Sequence, residues 1–171
     1  DTKEQFALYV LNNALGGSMS SRLFQHIREE RGMAYSVYSY PSGYSGTGYF
    51  ALYAGTEGKQ GAKVAELMLQ EARRMREQGL TADEFHRAKE QLKGSYMLGQ
   101  ESTSARSSAI GRSMLMRGYA LEEGEMLSRI AGVRMEDVEG ILPYVLDETR
   151  MVAAVVGRQA VHEPIRQALN M

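Results

Sequence analysis

Apolar residues at helical spacing begin the chain. They recur over residues 6–14, and the run stops at Gly16 and Gly17, so we predict a first helix that ends in a glycine loop. A shorter helix is predicted next, with Ser20 or Ser21 as its N-terminal cap and with leucine, phenylalanine and isoleucine on its apolar side. The chain is therefore expected to open with two consecutive helices.

The period of the pattern changes in the following segment. Within residues 34–40, and again within residues 48–54, aromatic and other apolar side chains alternate with small or polar ones. The linker between them, residues 41–46, is rich in proline, glycine and serine, which favour turns. Two aromatic runs of period two around such a linker predict an antiparallel hairpin.

Helical periodicity returns after the hairpin. Residues 65–75 form one apolar face, and Gly79 follows at the position of a C-terminal glycine. Thr81 and Glu84 then show the pattern of a capping box, because each side chain can accept a hydrogen bond from the other residue's backbone N–H. Further helices are predicted over residues 85–96, 103–117, 122–131 and 135–146.

The end of the chain completes the fold prediction. Residues 151–156 are a short, continuous apolar run, which predicts a strand buried on both faces, and a last helix is predicted after Pro164. This order of elements is typical of an α+β fold, a two-layer sandwich in which helices cover one side of a mainly antiparallel sheet. We expect residues 1–171 to form a single domain. Because its sheet would be thin, we also expect one or more strands that precede residue 1 in a longer parent chain.

Composition and charge exclude several classes of function. The 20 Lys and Arg residues are interspersed with 21 Asp and Glu residues, so no basic surface for nucleic acid or for an anionic membrane is indicated. Cysteine is absent, which excludes a disulfide, a thiolate metal site and a cysteine nucleophile. No apolar run reaches the ~18 residues needed to span a bilayer, and the first residues are unlike a signal peptide. We expect a soluble protein with neither a nucleic-acid nor a membrane partner.

Histidine spacing argues against a metal site in this chain. A catalytic zinc ion needs three protein ligands, two of them usually close together on a helix. The three histidines are too far apart for any two to be helical neighbours; they are His26, His86 and His162. The segment from His26 to Glu30 resembles the inverted zinc motif H-x-x-E-H, but Glu takes its last position, and we interpret the similarity as chance. We therefore predict that the chain binds no metal.

Other self-sufficient catalytic motifs are incomplete. The segment from Gly16 to Ser20 resembles a nucleophile elbow without its closing glycine, and it lacks the lysine of a phosphate-binding loop. Acidic pairs such as Asp83 and Glu84 lie in the first turns of predicted helices, where the helix dipole favours them for structural reasons. The residues alone thus give no complete active site.

One contiguous stretch carries a specific signal. It reads LGGSMSSRLF at residues 15–24 and IREERGMAYSV at residues 27–37. A glycine loop, a short helix and a Tyr-bearing strand at this spacing closely resemble the C-terminal, zinc-free half of the pitrilysin/insulinase family, which includes the mitochondrial processing peptidases and similar bacterial processing proteases. The order of the later helices extends the resemblance over residues 1–157.

The resemblance implies a division of labour between two similar halves. In this family two α+β halves close around a peptide, and the N-terminal half holds zinc through the inverted motif and a downstream Glu. The second half binds no metal but supplies an Arg and a Tyr seven residues apart, which correspond here to Arg28 and Tyr35. An Arg fork and a phenol can orient a peptide carbonyl and stabilise its developing negative charge. The resemblance also makes Gly16 and Gly17 candidate substrate-binding residues.

Structural alternatives stay open for each of these residues. Arg28 could instead pair with a neighbour such as Glu29 on a solvated face, and Tyr35 could simply pack in the sheet. For Gly16 and Gly17, the alternative is a purely structural role at the C-terminal end of the first helix.

The resemblance leads to a main functional hypothesis and two alternatives. The chain would be the substrate-binding half of a zinc metalloendopeptidase, inactive alone and paired with a zinc-bearing half in the same polypeptide or in a dimer of similar subunits. The first alternative is a catalytically silent structural or peptide-holding subunit, as in respiratory-complex core proteins. The second is an unrelated α+β binding module. A bacterial cytoplasmic location is expected, with the mitochondrial matrix as the alternative.

Overall fold

The fold is α+β, as predicted, and we describe it from a computed structural model for residues 2–44 and 46–171. The first half contains helix α1 (Lys3–Leu15), a π-helix (Phe24–Glu29) and strands β1 (Ser36–Tyr44) and β2 (Thr47–Gly55). The second half contains helices α2 (Gly61–Gln78), α3 (Ala82–Gly99), α4 (Thr103–Arg117), α5 (Glu123–Ala131), α6 (Met135–Val145) and α7 (His162–Ala168). Single 3-10 turns lie at Gly58–Gln60, Glu148–Arg150 and Gln159–Val161.

Helix α1 lies at the centre of the hydrophobic core. Its residues Val10, Leu11 and Leu15 are completely buried, and it packs against α3, α5, α6 and β1. The helix begins at the cap Thr2 and ends before Gly16, whose N–H donates to the carbonyl of Asn12 at 2.9 Å. The apolar pattern of residues 6–14 therefore correctly predicted both the helix and its glycine end.

Strands β1 and β2 pair as the predicted antiparallel hairpin, but they are longer than the pattern indicated. Val37 lies opposite Ala54, and the pairing continues to Tyr44 opposite Thr47, so the turn is shorter than the predicted linker 41–46. Pro41 sits inside β1 without breaking it, because a proline is tolerated on an edge strand, where its missing N–H is not needed for pairing. One face of the hairpin packs on α1.

The helices after the hairpin agree closely with the prediction. Gly79, with a φ of 68°, ends α2. The capping box of α3 is confirmed: the N–H of Glu84 donates to Thr81 Oγ1 at 3.2 Å, and the N–H of Thr81 donates to Glu84 Oε2 at 2.8 Å. Helix α7 begins at His162 rather than after Pro164, since a proline fits the first turn of a helix, where no N–H is required.

Residues 151–156 do not form the buried strand that their apolar run predicted. The structure assigns them no strand, and Val152 is 90% exposed. A strand needs a neighbouring backbone for its N–H and C=O groups and a covering layer for its side chains. Within the described part of the chain, the sheet consists of β1 and β2 paired with each other, and neither reaches this segment.

Candidate functional site

Arg28 lies on a helix with an unusual hydrogen-bond period. The π-helix Phe24–Glu29 uses bonds from each N–H to the carbonyl five residues earlier, and the bond from Glu30 to Gln25 measures 2.9 Å. Gly32, with a φ of 60°, follows the segment. The sequence predicted a short helix here but not its period, because one apolar side is compatible with either winding. Single π-turns occur frequently at functional sites.

Arg28 and Tyr35 lie against each other. The guanidinium carbon of Arg28 is 5.8 Å from the centroid of the Tyr35 ring and 5.1 Å from that of Phe24. Both distances lie within the range of cation–π attraction. Tyr35 is 86% exposed, and its backbone N–H is fixed by the carbonyl of Gly55 at 2.9 Å. The two residues that the family resemblance singled out therefore share one exposed surface.

The surroundings of this pair differ from the structural alternatives. Among residues 2–44 and 46–171, no carboxylate forms an ion pair with Arg28, although Glu29 and Glu30 adjoin it in the sequence. Tyr35 precedes β1 and does not pack within the sheet. The guanidinium thus contacts two rings, while Arg28 and Tyr35 are both exposed and their hydrogen-bonding groups are accessible to solvent. Such groups can reach a ligand without first breaking an internal bond.

A buried carboxylate on α2 contacts the π-helix through His26. Glu71 of α2 is 6% exposed, and its Oε1 lies 2.8 Å from Nδ1 of His26 and 3.5 Å from a guanidinium nitrogen of Arg74. Its second oxygen, Oε2, is buried and has no hydrogen-bond partner among the described residues. The sequence pattern did not single out Glu71 in advance. The available signal was an acidic residue on the apolar face of α2, at helical spacing from Met68 and Met75.

An ion pair joins the segment after the glycine loop to α3. Arg22 donates to both carboxylate oxygens of Glu84, at 2.6 and 2.8 Å, and to the carbonyl of Gly79 at 2.8 Å. The two side chains are only 12% and 20% exposed. Hydrogen bonds from Arg22 lower the pKa of Glu84 to about 2, although burial acts in the opposite direction. The residue that caps α3 therefore also fixes the segment leading to the π-helix.

Close packing accounts for the glycine at position 16. A Cβ on Gly16 would lie 2.5 Å from the backbone nitrogen of Ser39 and 2.9 Å from Cδ1 of Leu23. The Gly16 carbonyl accepts a hydrogen bond from Ser39 N–H at 3.2 Å, which ties the loop to β1. Gly17 is exposed, and a Cβ there would lie 2.7 Å from the side-chain amide of Asn12. Both glycines thus have a packing role; their contact with a substrate stays a prediction.

The described residues do not fit a zinc ion. Over ranges 2–44 and 46–171, no group of three or more His, Asp or Glu side chains is placed to hold a metal. His26, the first residue of the incomplete inverted motif, faces Glu71 on another helix. In the same ranges, no helix has the length and apolar character needed to cross a membrane.

Fold and site agree with one class of protein. A family model described as "Peptidase M16 inactive domain" matches residues 1–92, more than half of the chain. The chain therefore belongs to the peptidase M16 family, as its inactive domain. The predicted resemblance to the zinc-free half of these peptidases is confirmed, and the alternative of an unrelated binding module is wrong.

Individual relatives add detail. The chain is 46% identical over 155 residues to an uncharacterized zinc protease of Streptomyces coelicolor, a match that covers 91% of this chain and 34% of the relative. A peptidase M16 inactive domain from Pseudomonas fluorescens superposes with a TM-score of 0.70 and 24% identity, covering 83% of this chain and 34% of that one. A chain of complex III from Candida albicans gives a TM-score of 0.71 and 21% identity, covering 83% and 36%.

Both structural likenesses, at these identities, establish the fold alone. The chain spans about a third of the length of the relatives that it matches.

Proposed function

We propose that this chain is the substrate-binding, zinc-free half of a zinc metalloendopeptidase. In this proposal the metal is held by a partner half, in the same polypeptide or in a separate subunit, and the peptide lies between the two halves. The observation that carries it is the exposed Arg28 guanidinium, which lies within cation–π distance of the Phe24 ring and of the exposed Tyr35 ring. Alone, the chain would not cleave peptides.

The pair has a defined chemical task in this proposal. A guanidinium presents several N–H donors in a rigid plane, and a phenol presents one O–H donor, so together they can hold a peptide carbonyl in one orientation. As the carbonyl oxygen gains negative charge during hydrolysis, donors aimed at it bind it more strongly than in the ground state. Ring contacts reduce the freedom that Arg28 would otherwise lose on binding.

Replacing Arg28 by Ala in the full protein, with its zinc-bearing half, tests the role. We expect kcat/KM for an internally cleaved peptide to fall about a hundredfold, as when an oxyanion donor is removed. Tyr35→Phe, which keeps the ring that Arg28 contacts but removes the O–H donor, should lower it about tenfold. The matched control is Arg166→Ala, which removes an exposed arginine from α7. A loss below about threefold for Arg28→Ala would contradict the proposal.

A completed sheet is part of the same proposal. The largely exposed apolar segment 151–156 and the two-stranded sheet support our expectation that strands preceding residue 1 belong to the parent domain. We predict that Val152→Asp changes the unfolding free energy of the isolated chain by less than about 0.5 kcal/mol. In the full protein, the same change should cost about 2 kcal/mol or more, because it buries a charge. Equal, small effects in both would contradict the expected extra strands.

A silent structural or peptide-holding subunit is the second candidate function. The fold likeness to the complex III chain from Candida albicans favours it, since that protein is part of a larger assembly. The presence of H-x-x-E-H in the parent chain, or in a protein that copurifies with it, would favour the peptidase. For either function we propose the bacterial cytoplasm as the location, with the mitochondrial matrix as the alternative.

A further inference from the structure

The hairpin has a composition unlike the rest of the molecule. Residues 36–55 contain no Asp, Glu, Lys, Arg or His, in a chain that is 24% charged. Half of the ten tyrosines lie in this segment, together with several serines and glycines. Tyrosine offers a large, rigid contact surface with a polar end, while serine and glycine allow adaptable hydrogen bonding, and this combination is typical of binding surfaces.

These tyrosines form one continuous surface, which we call the tyrosine face; its members are Tyr38, Tyr40, Tyr44, Tyr49 and Tyr53. Tyr38 stacks on Tyr53 across the strands with ring centroids 4.8 Å apart, and Tyr40 meets Tyr49 edge-on at 6.1 Å. Each of the five side chains nevertheless stays between 38% and 60% exposed. The opposite face of β1, with Val37 and Ser39, is buried against α1. The rings therefore point away from the core.

The hydroxyl groups of this face interact with one another. A hydrogen bond with Ser42, followed by one with Tyr40, lowers the pKa of Tyr49, and the bond to Tyr49 raises the pKa of Tyr40. The rings themselves contact one another along the face, from the stacked Tyr38 and Tyr53 to the edge-on Tyr40 and Tyr49. A ligand therefore meets rings that already pack against one another, so binding requires little further loss of side-chain entropy.

Charge and spacing indicate which ligand fits. A face without ionisable groups other than phenols gives a buried acidic or basic side chain no counter-ion, so uncharged side chains are favoured. On β1, Tyr38 and Tyr40 are two residues apart and Tyr44 follows four residues later, so all three lie on one side of the strand, with the even spacing of side chains that share one side of an extended peptide. A folded protein rarely exposes such a segment, whereas an unfolded polypeptide does.

We propose that the tyrosine face binds an extended segment of polypeptide with bulky, uncharged side chains at alternate positions. The identification of this segment as substrate depends on the proposed function. The binding itself does not, because it involves residues separate from Arg28 and Tyr35 and needs no hydrolysis. The face would select unfolded, apolar-rich peptides and hold them beside the cleavage site.

Tryptophan fluorescence can measure this binding directly, because the chain contains no tryptophan. The probe is a capped nine-residue peptide, the length of β1, with Trp and Leu alternating with Ser. A second probe carries Lys and Glu at the Leu positions. Binding is measured on the full protein after zinc removal by a chelator, so the probe is not cleaved; any tryptophan elsewhere in the full protein is replaced by Phe. We expect saturable binding of the first probe and about tenfold weaker binding of the second.

Substitutions locate the site. The double variant with Tyr40→Ser and Tyr49→Ser should bind the first probe about tenfold more weakly, since it has lost two aromatic rings that contact the ligand. Tyr40→Phe with Tyr49→Phe keeps the rings and should change affinity less than about threefold. Tyr144→Ser on α6 is the matched control, because this tyrosine is 76% exposed and outside the face. Circular dichroism verifies that each variant is folded.

The outcomes separate this inference from the proposed function. Unchanged affinity in the folded double Ser variant, no saturable binding, or equal binding of the charged probe would each overturn the tyrosine face as a peptide site. Loss of probe binding in that variant, in a protein that shows no peptidase activity with zinc restored, would support the face and count against the peptidase. If that variant does not fold, Tyr44→Ser, which removes the most exposed ring of the face, decides instead: weaker binding of the first probe would support the face, and unchanged affinity would overturn it.

Discussion

Replacing Glu84 by Gln would test the ion pair that joins the segment before the π-helix to α3. Arg22 donates to both carboxylate oxygens, and its side chain keeps only 12% of its surface exposed. The substitution preserves the shape of the side chain but removes its charge. It therefore leaves a mostly buried guanidinium without its counter-ion, which is a destabilising change.

The size of the effect follows from the pKa of Glu84. Its fall from 4.5 to about 2 corresponds to about 3 kcal/mol of preferential stabilisation of the ionised form in the folded state. The carboxylate is 20% exposed, so solvent screening reduces this value, and we expect Glu84→Gln to cost about 2 kcal/mol at neutral pH.

The effect should also depend on pH with a definite sign. Because the pKa of Glu84 is lower in the folded state than in the unfolded one, its stabilisation is complete above the unfolded value of 4.5. It is lost as the pH falls from there towards about 2, where the folded carboxylate also binds a proton. The difference in unfolding free energy between wild type and Glu84→Gln should therefore shrink over this range.

Urea unfolding, followed by circular dichroism from neutral pH down to about 3, measures this difference. Glu90→Gln is the matched control, since Glu90 lies on the same helix but forms an exposed pair with Lys93, and its loss should cost less than about 0.5 kcal/mol. A Glu84→Gln difference that stayed constant down to the lowest pH would show that the carboxylate charge does not stabilise the fold through Arg22. So would a cost at neutral pH no larger than that of the control.

Two further predictions concern packing around the candidate site. Gly16→Ala should lower the unfolding free energy by about 2 kcal/mol, because its Cβ would overlap the backbone of β1. Gly43→Ala is the control: its Cβ would meet open space, so it should change the unfolding free energy by less than about 0.5 kcal/mol in the same urea titration. His26→Ala should lower the unfolding free energy by about 2 kcal/mol, because it leaves the buried Glu71 carboxylate without its closest partner. The control His86→Ala removes an exposed histidine and should leave the thermal unfolding temperature nearly unchanged. Equal effects of the two substitutions in thermal unfolding would contradict this.

The sequence proposed the residues of the candidate site, whose role stays a prediction, but it did not indicate their surroundings. The motif around Arg28 and Tyr35 marked both residues through a family resemblance, and the structure places their side chains in contact. Nothing in the sequence indicated that Phe24 would flank the same guanidinium or that the helix would be wound as a π-helix. Glu71 was missed for a similar reason: an acidic residue within an apolar helix face does not reveal which partner lies across from it.

The local elements of this protein follow from the amino-acid pattern alone. Apolar periodicity, glycine ends and the capping box depend on residues within a few positions of one another, so helices α1 to α6 and the hairpin could be predicted from short windows. Tertiary structure alone decided whether residues 151–156 became a strand, because a strand exists only where another backbone is available to pair with it. It also decided which charges were buried together and which tyrosines formed one surface, since these contacts join residues far apart in the chain.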